Sequence, residues 1–122
     1  MRFMSIVTSS PSEKYGNPTP ALLEGMGKLV DREIKAGRMI DTAGLMPIDQ
    51  GVRVSIAGGA LSVLDGPFVE AKEVIGGYAI FEVSSKEEAV ALAIEFMQLH
   101  KDHMPGWEGT CEVRAFGGSP TS

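Results

Sequence analysis

The sequence predicts an α+β domain: an antiparallel sheet with two helices packed on one face, a split β-α-β arrangement enlarged by a hairpin. Three observations carry this. Short runs rich in β-branched residues alternate in the manner of strands at residues 2–8, 52–57, 60–64, 77–83 and 110–116. Two other segments, after Thr19 and after Ser85, place apolar residues three and four apart behind a capping residue. The resulting order is strand, helix, hairpin, strand, helix, strand.

Each element has its own local cause. In the first strand Phe3, Ser5 and Val7 alternate with Met4, Ile6 and Thr8. Residues 9–18 are rich in Ser, Pro, Gly and Asn, which form their own turns, so a loop follows. Thr19 then reads as an N-cap and Pro20 as the first helical residue, where a missing N–H costs nothing. Leu22, Leu23, Met26, Leu29, Val30 and Ile34 form one apolar stripe on that helix, which stops at Gly37. Between Arg38 and Gly51 the residues Gly44 and Pro47 predict irregular structure.

Gly58-Gly59 joins residues 52–57 to 60–64, and its glycines suit the positive φ angles of a type I′ turn. A two-residue turn sets Ile56 opposite Leu61, Val54 opposite Val63, and Asp65 opposite Val52 on the same face. Gly77 to Val83 is the next strand. Ser85-Lys86-Glu87-Glu88 fits a capping box in which Ser85 and Glu88 satisfy each other's backbone donors. Ala89, Leu92, Ala93, Phe96 and Leu99 line one face of the helix that follows, up to about His100. A loop with Pro105, Gly106 and Gly109 leads to the last strand.

A length of 122 residues is that of one domain, spanning 1–122, and is enough to bury a core without metal or disulfide support. The lone cysteine, Cys111, excludes an internal disulfide and a zinc-type spacing, and reads as a small buried hydrophobe. A net charge of -5 with no basic run argues against nucleic acid or an anionic membrane as partner. No apolar run reaches the roughly 20 residues of a spanning helix. The N-terminal residues are strand-like rather than a signal peptide, so a cytoplasmic location is expected. Both alternating sets of the first strand and of residues 78–83 hold large apolar side chains. Helices on one side only would leave Met4, Ile6, Tyr78 and Ile80, or their opposites, uncovered, and a homodimer packing sheet face on sheet face is expected.

The charged stretch between the hairpin and the next strand is the best site candidate. Asp65-Gly66-Pro67-Phe68, followed by Glu70, Lys72-Glu73, Gly76-Gly77-Tyr78 and Glu82-Val83, resembles the DGPF-type proteins of the YCII-related group. Gly44-Leu45-Met46-Pro47, Glu87-Glu88-Ala89 and Glu112-Val113-Arg114 extend the likeness over nearly the whole chain. The resemblance implies a ferredoxin-like fold and a dimeric α+β barrel, and a regulatory setting linked to sigma factors. In the wider group a His–Asp pair is proposed as acid and base, and some members look like dehydrochlorinases. Asp65 matches that aspartate. The histidine, expected from the first helix region, has no counterpart between Pro20 and Gly37.

Asp65 is therefore the candidate catalytic group, poised against a simpler role as acceptor for amides of the Gly66-Pro67 turn. Glu70 and Lys72 are candidates for the rim of a pocket, or members of a solvated charge cluster. Arg53 and Arg114 offer guanidinium forks for a carboxylate ligand; for Arg53, Glu112 or a partner chain competes. Tyr78 adds a phenol near the loop, although an aromatic at a strand start commonly serves packing. His100, Asp102 and His103 lack a further placed ligand, and no metal is expected. Isolated Gly pairs make no phosphate loop, so no cofactor is expected either. Two functions follow: a dimer that binds a small molecule or a protein, or a cofactor-independent lyase or isomerase acting on a small cyclic or aromatic acid through Asp65.

Overall fold

The computed structural model describes residues 1–10, 16–47, 50–66 and 74–117. Along the chain run β1 (Arg2–Ser9), α1 (Pro20–Lys35), β2 (Met39–Gly44), β3 (Val52–Ala57), β4 (Ala60–Asp65), β5 (Val74–Glu82), α2 (Lys86–His103) and β6 (Gly109–Ala115). Four strands form one sheet in the order β2-β5-β1-β6, with every described neighbour pair antiparallel. Each β-α-β unit thus straddles a strand of the other: β1-α1-β2 spans β5, and β5-α2-β6 spans β1. This is an α+β, ferredoxin-like arrangement with a two-stranded addition.

Both helix starts follow the sequence. Thr19 Oγ1 accepts the Leu22 N–H at 3.2 Å, with Pro20 opening α1. Ser85 Oγ accepts the Glu88 N–H at 3.2 Å. The reciprocal half of the capping box differs: the Glu88 carboxylate reaches past Ser85 to accept from the Ser84 N–H at 3.3 Å and from its hydroxyl. Helix α2 runs three residues beyond His100.

At its other end α1 closes with paired bonds, Gly37 N–H to Ile34 O and Arg38 N–H to Glu33 O, both 3.0 Å, while Gly37 takes a φ of +77°. This Schellman closure folds Arg38 back beside Glu33. The apolar stripe on α1 is narrower than expected. Leu22 and Leu29 are buried, but Leu23 and Ile34 are each more than half exposed, and the third buried residue is the acid Glu33.

The core lies between the sheet and the helices. Phe3, Met39, Phe81, Val83, Ala89 and Leu92 form one buried cluster, with Val30, Ala79 and Val113 packed against it. Burial of a side chain such as Phe3 or Phe81 contributes on the order of 2 kcal/mol. Cys111 is only partly buried; burial still pushes its thiol pKa up.

Two expectations about the middle of the chain are corrected. Met39–Gly44 is a strand rather than irregular structure, because pairing with β5 satisfies its backbone whatever its weak propensity. The hairpin β3-β4 has the expected register, Ile56 to Leu61, Val54 to Val63 and Val52 to Asp65, and Gly58 and Gly59 take φ of +59° and +79°. It forms a separate two-stranded sheet and does not extend the main one.

Candidate functional site

Alternation along β1 and β5 sorts the sheet into two faces. Phe3 and Ser5 are buried under the helices with Phe81, whereas Met4, Ile6, Tyr78 and Ile80 point the other way and are partly exposed. Register assembles that open face into rows. Ala43, Tyr78, Ile6 and Glu112 lie side by side across β2, β5, β1 and β6, and so do Asp41, Ile80, Met4 and Arg114.

Asp41 reaches this face through an irregularity. Met39 pairs with Phe81 and Asp41 with Ile80, so Ile40 is an extra residue on β2. Without it Asp41 would share the helix side with Met39; the bulge turns the carboxylate to the open side. There the Tyr78 hydroxyl donates to Asp41 Oδ2 at 2.7 Å, while Asp41 Oδ1 accepts the Thr42 N–H at 2.9 Å. Thr42 Oγ1 donates to Tyr78 O at 2.9 Å, tying the two strands again. The hydrogen bond to Asp41 raises the phenol pKa above its ordinary value, so Tyr78 is a protonated donor at neutral pH.

A second irregularity lies beside it. Val7 pairs with Gly77 and Thr8 with Ile75, which leaves Gly76 as the extra residue. A side chain at Gly77 would put its Cβ 2.8 Å from Ala43 O, so the close approach of β2 to β5 requires glycine there.

Of the residues singled out in the sequence, Tyr78 and Arg114 share the open face, and Arg114 has no ion pair among the described residues. Asp65 and Arg53 lie on the hairpin, Asp65 opposite Val52 and Arg53 opposite Leu64. No hydrogen bond or ion pair among the described residues joins Asp65 to the sheet. The Gly66 N–H is donated to Gly51 O at 2.9 Å. Glu70 and Lys72 lie outside the described residues. Asp41 was missed because its segment reads as irregular, and only the bulge gives it a place.

The two histidines stand elsewhere. His100 is buried on α2 between the rings of Phe96 and Trp107, with centroids at 4.7 and 4.4 Å, and its Nδ1 lies 3.1 Å from Phe96 O. Burial lowers its pKa below the ordinary value, as for a neutral core residue. Among the described residues no group of three His, Cys, Asp or Glu side chains is placed to hold a metal ion. No helix among them is long and apolar enough to cross a membrane.

Fold and sequence meet in one comparison: the family model of the YCII-related domain matches residues 1–96. The chain belongs to the YCII-related domain family. No curated protein matches it. The matched span takes in β1 to β5 and the first part of α2, hence most of the open face. Only β6, with Arg114 and Glu112, falls beyond it. As a YCII-related domain the chain departs from the acid/base pattern noted above, since its two described histidines, His100 and His103, are both on α2.

Proposed function

We propose that this YCII-related domain acts in the cytoplasm as a homodimer, joined through the open sheet face, that binds a small acid in a regulatory role. The observation that carries the reading is the composition of that face. Met4, Ile6 and Ile80 make an apolar floor, the hydrogen bond to Asp41 fixes the Tyr78 phenol at one side of it, and Arg114 supplies a cation without an ion pair among the described residues. A guanidinium fork is suited to a carboxylate, and the floor to an apolar ring.

The hairpin supports the dimeric part. Val52, Val54, Ile56, Leu61 and Val63 line one of its faces and are 57–75% exposed. An isolated two-stranded ribbon is marginal in water, and a contiguous apolar patch of several hundred Å² is on the order of what marks an interface. A second copy offers both an apolar sheet face and a matching ribbon.

Sedimentation velocity at micromolar concentration tests the assembly, with a dimer expected and dissociation on Ile56→Lys with Val63→Lys. A monomeric wild type would overturn it. Binding is tested by thermal shift with small aromatic and cyclic acids, where stabilisation lost in Arg114→Leu supports the site. Product formed from chlorinated hydroquinones or lactones, and abolished by Asp65→Asn, would replace binding with catalysis.

A further inference from the structure

The helix side of the sheet carries a second concavity, remote from the open face. A cleft of about 470 Å³ runs between α2 and β6, lined by Val90, Ala93, Ile94 and Met97 of the helix and Val113 of the strand. That volume lies within the usual range for small-molecule sites. Because β6 is an edge strand of the sheet, no further strand of the described chain walls the outer side. Ile94 is left 62% exposed there.

The polar lining is sparse and of one sign. Gln98 is occupied with Asp102, to which its amide donates at 2.9 Å. Cys111 contributes a partly buried thiol. Lys101 is the charged group of the lining, and it has no ion pair among the described residues. In a protein of net charge -5 the lining of this groove thus holds a cation and no carboxylate, and the Asp102 carboxylate next to it is taken up by Gln98. The C-terminal end of α2 opposes an anion with about half a charge, which the full charge of Lys101 outweighs. From Val90 to Lys101 the helix advances about 16 Å, so the apolar lining is elongated and the cation stands at its end.

We propose that this cleft binds a medium-chain alkyl carboxylate, its chain along Val90, Ile94, Met97 and Val113 and its head group on Lys101. An alkyl chain matches an elongated apolar strip where a compact ring would leave most of it wet. The carboxylate matches the cation. The site involves none of the open-face residues, so it stands or falls independently of the function proposed above.

The probe is decanoate below its micellar concentration, with octanoate and decanol as controls. Binding is read by backbone amide NMR and by the rate of Cys111 alkylation at alkaline pH. Decanoate is expected to slow the alkylation and to shift amides of α2 and β6. Affinity should rise from octanoate to decanoate by up to about fourfold per methylene. Lys101→Glu, at an exposed position, should weaken decanoate about tenfold while leaving decanol unchanged. Ile94→Asp should weaken both. The proposal is overturned if decanoate leaves Cys111 alkylation unaltered, if Lys101→Glu affects decanoate and decanol alike, or if the shifted amides belong to the open face.

Discussion

Arg38 clamps the buried carboxylate of Glu33 through two bonds, Nε to Oε1 at 2.6 Å and Nη2 to Oε2 at 2.8 Å. The Glu33 side chain has no exposed surface. Arg32 adds a third bond, from Nε to Oε2 at 2.9 Å, and its other nitrogens grip Glu95 on α2 at 2.7 and 2.8 Å. One buried acid therefore links the end of α1, the entry to β2 and the second helix. The two arginines remain partly in solvent, and this makes the pair asymmetric. Arg38→Ala leaves a buried charge with one partner and is expected to cost about 3 kcal/mol. Glu33→Gln leaves arginines that can turn to water and is expected to cost about 1–2 kcal/mol. Urea midpoints measure both, and an equal or reversed order would show that Glu33 is not the group at risk.

The same clamp sets the response to acid. Arg38 first, and then Arg32, hold the Glu33 pKa at about 2, against an ordinary value of about 4.5. A carboxyl depressed on folding stabilises fully above its unfolded pKa, and that contribution disappears as pH falls from about 4.5 through about 2. His100 acts in a higher window. Burial lowers its pKa from 6.5, so its contribution is complete above that pH and declines as pH falls below it. Stability of the wild type should fall in both windows, and Glu33→Gln should make the lower fall shallower without abolishing it, since Glu82, Glu88 and Glu95 are also held below their ordinary value. Unfolding midpoints measured between pH 7 and pH 2 would show whether it does.

What could be read in advance divides along physical lines. The hairpin register was legible because Gly58-Gly59 fixes a turn and alternation then fixes every partner. Helix starts were legible because Thr19 and Ser85 act on amides within three residues. Glu33 was illegible: the stripe Leu22-Met26-Leu29 suggested an apolar successor, and only the left-handed turn at Gly37 brings Arg38 back to neutralise an acid there. Asp41 was illegible for a related reason. Its face depends on one extra residue, Ile40, whose insertion is decided by pairing with β5 rather than by β2 itself. Asp65 shows the converse, since its place opposite Val52 was read correctly, yet the separation of the ribbon from the main sheet leaves it apart from Tyr78 and Arg114.

The adjacent glycines before Tyr78 should respond unequally to alanine. At Gly77 a methyl group would meet Ala43 O at 2.8 Å and Gly44 Cα at 3.3 Å, both backbone atoms of β2 that can yield only by moving the strand. At Gly76 the nearest atom is Val7 O at 3.9 Å, an ordinary contact. Gly77→Ala is expected to destabilise by about 1–3 kcal/mol. Gly76→Ala should be close to neutral, because its φ is not positive and the unfolded chain loses freedom. Denaturant curves of the two variants decide the matter, and similar losses would mean that the bulge, not the approach of β2, demands glycine.

The Tyr78 phenol should titrate above its ordinary value while the pair contributes little to stability, since Asp41 is exposed and Tyr78 only partly buried on the sheet face. The phenol is held protonated because it donates to an acceptor that is already charged, and deprotonation would set two anions 2.7 Å apart. Asp41→Asn removes that charge and is expected to bring the phenol pKa down toward its ordinary value of 10.0. Ultraviolet absorbance of the phenolate follows it, with Tyr78→Phe as the blank that subtracts the other tyrosine. A melting temperature nearly unchanged by Asp41→Asn would place the pair among groups kept for their chemistry rather than for the fold. If the phenol titrates identically in Asp41→Asn and wild type, the pair does not persist in solution, and Asp41 does not fix Tyr78 on the open face.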